Sequence, residues 1–183
     1  MCEIDDEGYQ IGGYFSKEKE FSKDWDPDVV GQDKLEKERN YNNLSCILVL
    51  PFHQRKGYGK FLISFSYELS IIEGKQGTPE RPLSDLGHKT YVAYWTWKLL
   101  TFLKDFKGTE VSVQYLAEKT GILASDIIQL FESFKILRYH QGDHYFIIND
   151  EFMEILIKSA GNPGHLVKTE NIHWTGYQWY TYT

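Results

Sequence analysis

The chain has 183 residues, of which 42% are hydrophobic and 16% aromatic, and its formal net charge at pH 7 is −6. This composition excludes a disordered chain, and the acidic balance argues against nucleic-acid binding through bulk charge. No apolar run approaches the roughly 20 residues that a membrane helix needs, and Cys2 and Cys46 form no metal-ligand or disulfide-rich pattern. We therefore expect a soluble intracellular protein with free thiols, built as one domain with at most a small appendage.

The first third of the chain predicts short strands and one long loop. The stretch "YQIGGYFS" (9–16) predicts a strand that follows a hairpin turn at "DDEG". Residues 17–40 are charged and are interrupted by Pro27 and Gly31, so they predict a surface loop with at most one helical turn. The apolar run "NLSCILVL" (43–50) predicts a strand that is buried on both faces in the middle of a sheet.

Two helices are predicted next. The stretch "GKFLISFSYELSIIEG" predicts an amphipathic helix that ends at Gly74. Its buried face is predicted to comprise Phe61, Leu62, Phe65, Leu69 and Ile72. After a Pro-containing loop, Ser84 or Asp85 is placed to cap a second apolar helix, "YVAYWTWKLLTFLKDF".

The sequence pattern changes beyond Gly108. It predicts a helix, a turn, a second helix, two short strands around "QGDH" and a final helix, an order that suggests a small winged-helix-like unit. Lys119 is the single basic residue of "VSVQYLAEKTGILASDIIQLFESF", so packing or partner binding is favoured over DNA readout. We expect the aromatic tail, "HWTGYQWYTYT", to pack on the body of the protein.

The junction "LPFHQRKGYGK" (50–60) predicts an anion site. A strand, a glycine-rich turn and a helix N-terminus present unpaired N–H groups at the positive end of the helix dipole. A Walker A loop is excluded because Gln54 and Phe61 occupy its first glycine and hydroxyl positions, and a dinucleotide fingerprint is excluded because Leu62 replaces its third glycine. From the turn alone, a glycine-rich connection without a ligand remains the alternative.

The turn and its surroundings resemble a known family. The pattern Gln54-Arg55-Lys56-Gly57-Tyr58-Gly59 resembles the acetyl-CoA pyrophosphate loop of GNAT-type acetyltransferases. With it, "GYFSKEK" (13–19), "NLSCILVLP" (43–51), "EGKQGTPERPLSDLG" (73–87) and "YWTWKLL" (94–100) resemble the MYST family of histone lysine acetyltransferases. The resemblance covers residues 8–108 and extends weakly beyond them. It implies an α+β fold, with a GNAT-like mixed sheet and flanking helices at 1–108 and a winged-helix-like region of the same domain at 109–183.

The resemblance also implies roles for individual residues. Glu80, in "GTPERPLSD", falls on the general base, and Cys46 falls on the active-site cysteine, for which an acetyl-cysteine intermediate has been proposed in the family. Ser84 matches a serine near acetyl-CoA, whereas a second family serine falls on Ala93. The residues matching the acetyl-CoA-binding segments are Ile47, Leu48, Val49, Gln54, Arg55, Lys56, Gly57, Tyr58, Gly59 and Lys60.

These residue types suit the implied chemistry. A lysine amine has a reference pKa of about 10.4, so it must lose a proton before it attacks a thioester, and a carboxylate shielded from water can accept that proton. Without the resemblance, Glu80 would be interpreted as an exposed loop carboxylate and Cys46 as core packing. His53, His140 and His144 have no metal-ligand spacing and are interpreted as ordinary surface or core histidines.

The chain also departs from the family pattern. In the family a zinc finger, a helix with an active-site lysine and an early strand come before the point where this chain begins, so we expect no metal here and an unpaired sheet edge. The leading hypothesis is an acetyl-CoA-dependent acetyltransferase of histone tails in the nucleus, acting with subunits of a chromatin-modifying complex. The alternative is an incomplete or non-catalytic module that binds acetyl-CoA or a complex partner. A small-molecule GNAT enzyme is a more distant third.

Overall fold

The protein combines helices with small sheets. The computed structural model describes residues 1–17, 41–108, 110–140, 143–146 and 148–174. The predicted 17–40 loop and the predicted packing of the tail therefore lie almost wholly outside the described residues. The strands are β1 (Cys2–Asp5), β2 (Gly8–Ile11), β3 (Gly13–Ser16), β4 (Tyr41–Leu44), β5 (Cys46–Val49), β6 (Gly77–Pro79), β7 (Leu137–His140) and β8 (Asp143–Phe146). The helices are α1 (Tyr58–Ile72), α2 (Asp85–Asp105), α3 (Val113–Thr120), α4 (Ala124–Ser133) and α5 (Asp150–Ala160), with 3₁₀ turns at Pro51–His53 and Thr169–Asn171.

The described strands form two-stranded sheets. β1–β2, β3–β5 and β7–β8 are antiparallel pairs, and β4–β6 is a parallel pair. The predicted hairpin at "DDEG" is confirmed as the turn between β1 and β2. These elements establish the α+β class.

The predicted single strand at 43–50 is wrong. The chain changes partner at Ser45, where β4 pairs with β6 and β5 pairs with β3, and the Ser45 N–H donates to the carbonyl oxygen of Ser16 across 2.8 Å. β5 is also not buried on both faces, because Cys46 and Leu48 are exposed while Ile47 and Val49 are half-buried. No other described element packs over the outer face of β5, so period-2 alternation leaves that face in solvent.

Helix α1 lies at the centre of the molecule. Leu62 and Leu69 of its predicted buried face are buried, but burial is not confined to that face. Ile72 is exposed, whereas Ile63 and Tyr67 are fully buried. Strands pack on one side of α1 and α2 packs on another. The segment after α5 covers a third side, where the Val167 N–H donates to Ser64 Oγ at 3.3 Å. A helix surrounded in this way buries most of its circumference.

Aromatic rings join α1 to α2 in the core. Tyr67 stacks on Tyr94 with ring centroids 5.3 Å apart, and Tyr91 meets Tyr67 edge-on. Trp95 Nε1 donates to the Tyr67 hydroxyl across 2.8 Å. Burial raises the pKa of each of these three tyrosines, which keeps their phenols neutral.

The C-terminal elements follow the predicted order. Ser112 caps α3 and Asn149 caps α5, each through its side-chain oxygen, and Gly121 ends α3 in the left-handed conformation.

The turn between α3 and α4 reaches the strand that precedes the Glu80 loop. There the Gly77 N–H donates to the Gly121 carbonyl at 2.7 Å, and the Leu123 N–H donates to the Gly77 carbonyl at 3.1 Å. This region is therefore joined directly to the part of the fold that carries the predicted base.

Candidate active site

The glycine turn forms an uncapped helix N-terminus. Gly57 is the N-cap of α1, with φ 90°, and no side chain caps this end of the helix. The first intrahelical bond runs from the Phe61 N–H to the Gly57 carbonyl at 3.1 Å. The N–H groups of the preceding turn, at Tyr58, Gly59 and Lys60, therefore have no acceptor within the helix. This is the arrangement that an anion such as a pyrophosphate requires.

The space around the two glycines differs. A Cβ added at Gly59 would have the Cγ2 of Thr90 as its nearest neighbour, at 3.9 Å, so the site there is open. Gly57 faces the segment after α5, and a Cβ on it would lie 3.6 Å from the Cα of Gly164. Thr90 and Gly164 thus border the loop, although neither was predicted. Their contribution depends on pairing of distant segments, which no local sequence signal reports.

The carboxylate of Glu3 in β1 offsets part of the positive charge of the glycine turn. Tyr58 donates its hydroxyl to Glu3 Oε1, His53 Nδ1 lies 3.2 Å from the same oxygen, and Lys56 Nζ lies 3.6 Å from it. The hydrogen bond from Tyr58 is the main cause that holds the pKa of Glu3 below its usual value, and His53 and Lys56 act in the same direction. The same hydrogen bond raises the pKa of Tyr58.

Lys60 contacts the segment that follows α5. Its ammonium group donates to the carbonyl oxygens of Ala160, at 3.0 Å, and Asn162, at 2.9 Å. These carbonyls lie at the C-terminal end of α5, the negative end of that helix dipole. Burial lowers the pKa of Lys60. In this structure its charge therefore ties α1 to the segment that follows α5.

The remaining predicted loop residues have local roles. Gln54 Nε2 donates to the Val49 carbonyl at 3.1 Å, which fixes the entry to the turn. Arg55 adopts φ 63°, an uncommon conformation for a residue with a side chain. Both Arg55 and Lys56 are exposed, and Lys56 lies in its ion pair with Glu3, so Arg55 is the more available cation for an incoming anion.

Ser84 is confirmed as the cap of α2. Its Oγ accepts a hydrogen bond from the Gly87 N–H at 3.1 Å, which accounts for the serine without a ligand. Beside this helix end lies an open cleft of about 540 Å³. The cleft is lined by Arg81, Pro82, Leu83, Asp85, His88 and Lys89.

The structure places the Glu80 and Cys46 backbones near one another. Leu44 pairs with Pro79 in the β4–β6 sheet, and the Glu80 N–H donates to the Leu44 carbonyl at 2.9 Å. Cys46 follows two residues later, with its N–H donating to Ser16 Oγ at 3.1 Å. Both the Glu80 and Cys46 side chains are exposed. Two distant sequence segments thus bring the residue that follows β6 close along the backbone to the residue that begins β5.

The predicted binding residues of β5 lead from this point towards the glycine turn. In the described residues β5 pairs with β3 alone, with Ile47 opposite Phe15 and Leu48 opposite Tyr14. Apart from the Gln54 bond to the Val49 carbonyl, the other backbone edge of β5 has no strand partner within the described part of the chain, which suits recognition of an extended ligand through main-chain hydrogen bonds.

Arg81 and Asp126 form an ion pair that sequence reasoning missed. Arg81 Nη2 donates to Asp126 Oδ1 at 2.8 Å, and the Asp126 side chain is almost fully buried. A polar residue within the apolar pattern of α4 was the available signal, but its partner is 45 residues away.

No metal centre or membrane helix is found in the described ranges. No group of three or more His, Cys, Asp and Glu side chains there is arranged to hold a metal ion. No described helix is both long and apolar enough to cross a membrane.

Comparison with known proteins identifies the family. The MOZ/SAS family model matches residues 1–172. The chain belongs to the MOZ/SAS family. It is 45% identical over 178 residues to "Histone acetyltransferase of the MYST family 2" of Arabidopsis thaliana, covering 97% of this chain and 36% of the relative.

Two further relatives come from distant organisms. "Histone acetyltransferase ESA1" of Mycosarcoma maydis is 39% identical over 180 residues, covering 98% of this chain and 28% of the relative. "Histone acetyltransferase MOF" of Drosophila melanogaster is 40% identical over 178 residues, covering 96% and 20% respectively. The chain thus spans about a third or less of the length of these curated relatives. The MYST resemblance found in the sequence is confirmed at the level of the family.

Proposed function

We propose that this MOZ/SAS family chain is the acetyl-CoA-binding and catalytic part of a protein-lysine N-acetyltransferase that acts on histone tails. The observation that carries the proposal is one arrangement. The uncapped N-terminus of α1 follows β5, the strand that begins at Cys46, and the Glu80 loop is hydrogen-bonded to Leu44 at the end of β4, two residues before Cys46. These connected segments support a site that combines an anion-binding helix end, a strand edge and a carboxylate.

We assign acetyl-CoA to the helix end and the strand edge. We assign its pyrophosphate to the free N–H groups of Tyr58, Gly59 and Lys60, with the exposed cations of Arg55 and Lys56 adding attraction. The backbone of Ile47 to Val49 would bind the extended arm through the free edge of β5, and Ser84 would lie near the ligand while capping α2. When bound, acetyl-CoA supplies the acetyl group as a thioester.

Glu80 is assigned to the acceptor lysine. Its carboxylate takes a proton from the lysine ammonium, directly or through one water, so that the neutral amine can attack the thioester carbonyl. The hydrogen bond from the Glu80 N–H to Leu44 holds this loop beside Cys46. We assign Cys46 to a position beside the thioester and propose direct transfer from acetyl-CoA to lysine. The amide C–N bond forms, the thioester C–S bond breaks, and CoA leaves as the thiol after its thiolate takes up the remaining amine proton.

Finer features of the fold belong to the same proposal. We infer a GNAT-like sheet in residues 1–108 and a winged-helix-like region in 109–183, supported by the order α3, turn, α4, β7, β8, α5.

The formal charge of −6 suits a basic histone tail. Histone substrates imply action in the nucleus, and we propose membership of a chromatin-modifying complex.

The test is an acetyl-transfer assay on a histone-tail peptide, using the natural protein at its full length. We expect Glu80→Gln to lower the rate at neutral pH by about 10²–10⁴-fold, the usual contribution of a general base. The loss should shrink as pH rises, because free amine then forms without the base. Acetyl-CoA affinity should stay unchanged. Glu118→Gln, which removes an exposed carboxylate from α3, serves as the matched control.

The outcomes separate the hypotheses. Full activity of Glu80→Gln with an unchanged pH profile would remove Glu80 from the mechanism. Acetyl-CoA binding by the wild-type protein without transfer to any histone peptide would support the non-catalytic binding module instead.

A further inference from the structure

The residue that follows Glu80 is held by the C-terminal region. Arg81 Nη2 donates to Asp126 Oδ1 at 2.8 Å and to Gln129 Oε1 at 3.4 Å, and both acceptors are on α4. The side chain of Arg81 is 46% exposed, whereas that of Asp126 is 4% exposed. A half-exposed arginine thus extends from the Glu80 loop to a buried carboxylate.

The burial of Asp126 makes this contact selective. Among the described residues its Oδ2 atom has no hydrogen-bond partner, and Arg81 is the cation paired with Oδ1. A buried carboxylate strongly disfavours loss of its counter-ion, because water cannot replace the lost interaction. The pair therefore constrains the backbone position of Arg81 more tightly than an exposed ion pair would.

A second contact joins the turn between α3 and α4 to β6, the strand that precedes Glu80. β6 lies between β4 and the 121–123 turn, since Gly77 exchanges hydrogen bonds with Gly121 and Leu123. A Cβ at Gly77 would lie 2.5 Å from the side chain of Asn43, so the two strands approach closely and no side chain fits at this position. Glu80 therefore sits between a strand that is fixed on both sides and an arginine that is fixed by α4.

We propose that Asp126 is a positioning residue for the acetyl-transfer step, acting through Arg81 to fix the Glu80 carboxylate at the acceptor lysine. The inference rests on the proposed function, because it assigns Asp126 a role only if Glu80 is the base. It also assigns α3, α4 and the turn between them a role in catalysis instead of DNA binding. Misplacement of a catalytic group by about 1 Å costs on the order of 10²-fold in rate, which sets the scale of the effect.

The experiment compares Asp126→Asn with wild type in the full-length protein, measuring kcat, KM for a histone-tail peptide, acetyl-CoA affinity and the pH–rate profile. Asparagine keeps the shape and removes the charge that holds Arg81. We expect kcat to fall by about 10-fold to 100-fold, acetyl-CoA affinity to stay unchanged, and the remaining activity to rise towards alkaline pH. Glu154→Gln, which breaks the exposed pair with Lys104, is the matched control and should behave as wild type.

The decisive measurement is a double-mutant cycle with Glu80→Gln. If Asp126 acts only through the base, adding Asp126→Asn to Glu80→Gln causes no further loss of kcat. If the two losses multiply, or if Asp126→Asn alone has wild-type activity, the inference is wrong. Full activity of Glu80→Gln alone would overturn the proposed function itself, so the two failures are distinguishable.

A second pair of variants tests the inference even if Asp126→Asn folds poorly. Arg81→Gln should reproduce the loss of kcat, whereas Arg81→Lys, which keeps the charge, should restore part of it. Equal activity of the Gln and Lys variants would contradict the role of the ion pair.

Discussion

The backbone N–H of Glu80 donates to the carbonyl oxygen of Leu44 across 2.9 Å. This bond continues the β4–β6 pairing by one residue beyond Pro79, and it joins the loop of the predicted base to the chain two residues before Cys46. Any transfer chemistry at this place therefore depends on the register of two short parallel strands. A shift of that register would move the Glu80 loop relative to the segment that leads into Cys46.

The role of Cys46 is tested by Cys46→Ser. Because we propose direct transfer from acetyl-CoA to lysine, we expect this variant to lose less activity than Glu80→Gln. A cysteine that carries the acetyl group would be as costly to remove as the base, because a serine hydroxyl is a far weaker nucleophile. Steady-state rates on a histone-tail peptide measure the difference, with Cys2→Ser as control for the other exposed thiol. Trapping of acetyl-Cys46 would contradict direct transfer.

The two loop glycines should respond differently to substitution. Gly57 has φ 90°, so Gly57→Ala should lower the free energy of unfolding by about 1–2 kcal/mol. Gly59 lies in the first turn of α1 with space for a Cβ, so Gly59→Ala should leave stability unchanged or raise it by up to about 1 kcal/mol. Chemical denaturation measures both. A large destabilisation by Gly59→Ala would contradict the open space at that position.

Acetyl-CoA binding should be lost in Gly59→Glu. The added carboxylate would meet the pyrophosphate at the N–H groups of α1, where like charges repel and the backbone can no longer approach the ligand. Titration calorimetry on the folded variant measures the loss, with Gly59→Ala separating the steric effect from the charge. Unchanged affinity in Gly59→Glu would refute the assignment of this turn to the pyrophosphate.

The contribution of the Glu3 contact with the glycine turn to stability should depend on pH. Because the pKa of Glu3 is lowered in the folded protein, its contribution to stability is present above the ordinary carboxyl pKa. That contribution is lost as pH falls through the lowered pKa. An NMR titration of the Glu3 carboxyl measures the midpoint, and Tyr58→Phe should move it upward by removing the main hydrogen bond. Tyr9→Phe, on an exposed ring of β2, should leave it unchanged.

Replacement of the two lysines of the loop should lower the stability of the protein to different extents. Lys60→Met removes two charge-assisted hydrogen bonds to carbonyls at the end of α5, so we expect a loss of about 1–3 kcal/mol of unfolding free energy. Lys56→Met removes an exposed pair with Glu3 and should cost less than about 1 kcal/mol. Thermal unfolding of both variants makes the comparison. Equal melting temperatures would show that the Lys60 contact does not stabilise the fold.

The features that the sequence by itself determined are local ones. Ser84 capping α2, the hairpin at residues 2–11 and the order of elements beyond Gly108 were predictable because each depends on residues a few positions apart. The glycine turn was recognisable for the same reason, since one short segment holds the strand end, the left-handed Gly57 and the helix start.

Other features were decided only by the tertiary structure, because they depend on which distant segments meet. The apolar run at 43–50 divides between two partners at Ser45, and Cys46 is exposed because no described element covers its side of β5. The charge of Lys60 is directed to the end of α5, and Arg81 finds its counter-ion on α4. Apolar periodicity and motif spacing report which side chains prefer burial, but they do not report the partner. Side-chain burial and ion pairing around these loops are therefore set by long-range packing, which brings α4 against the Glu80 loop and the end of α5 against the glycine turn.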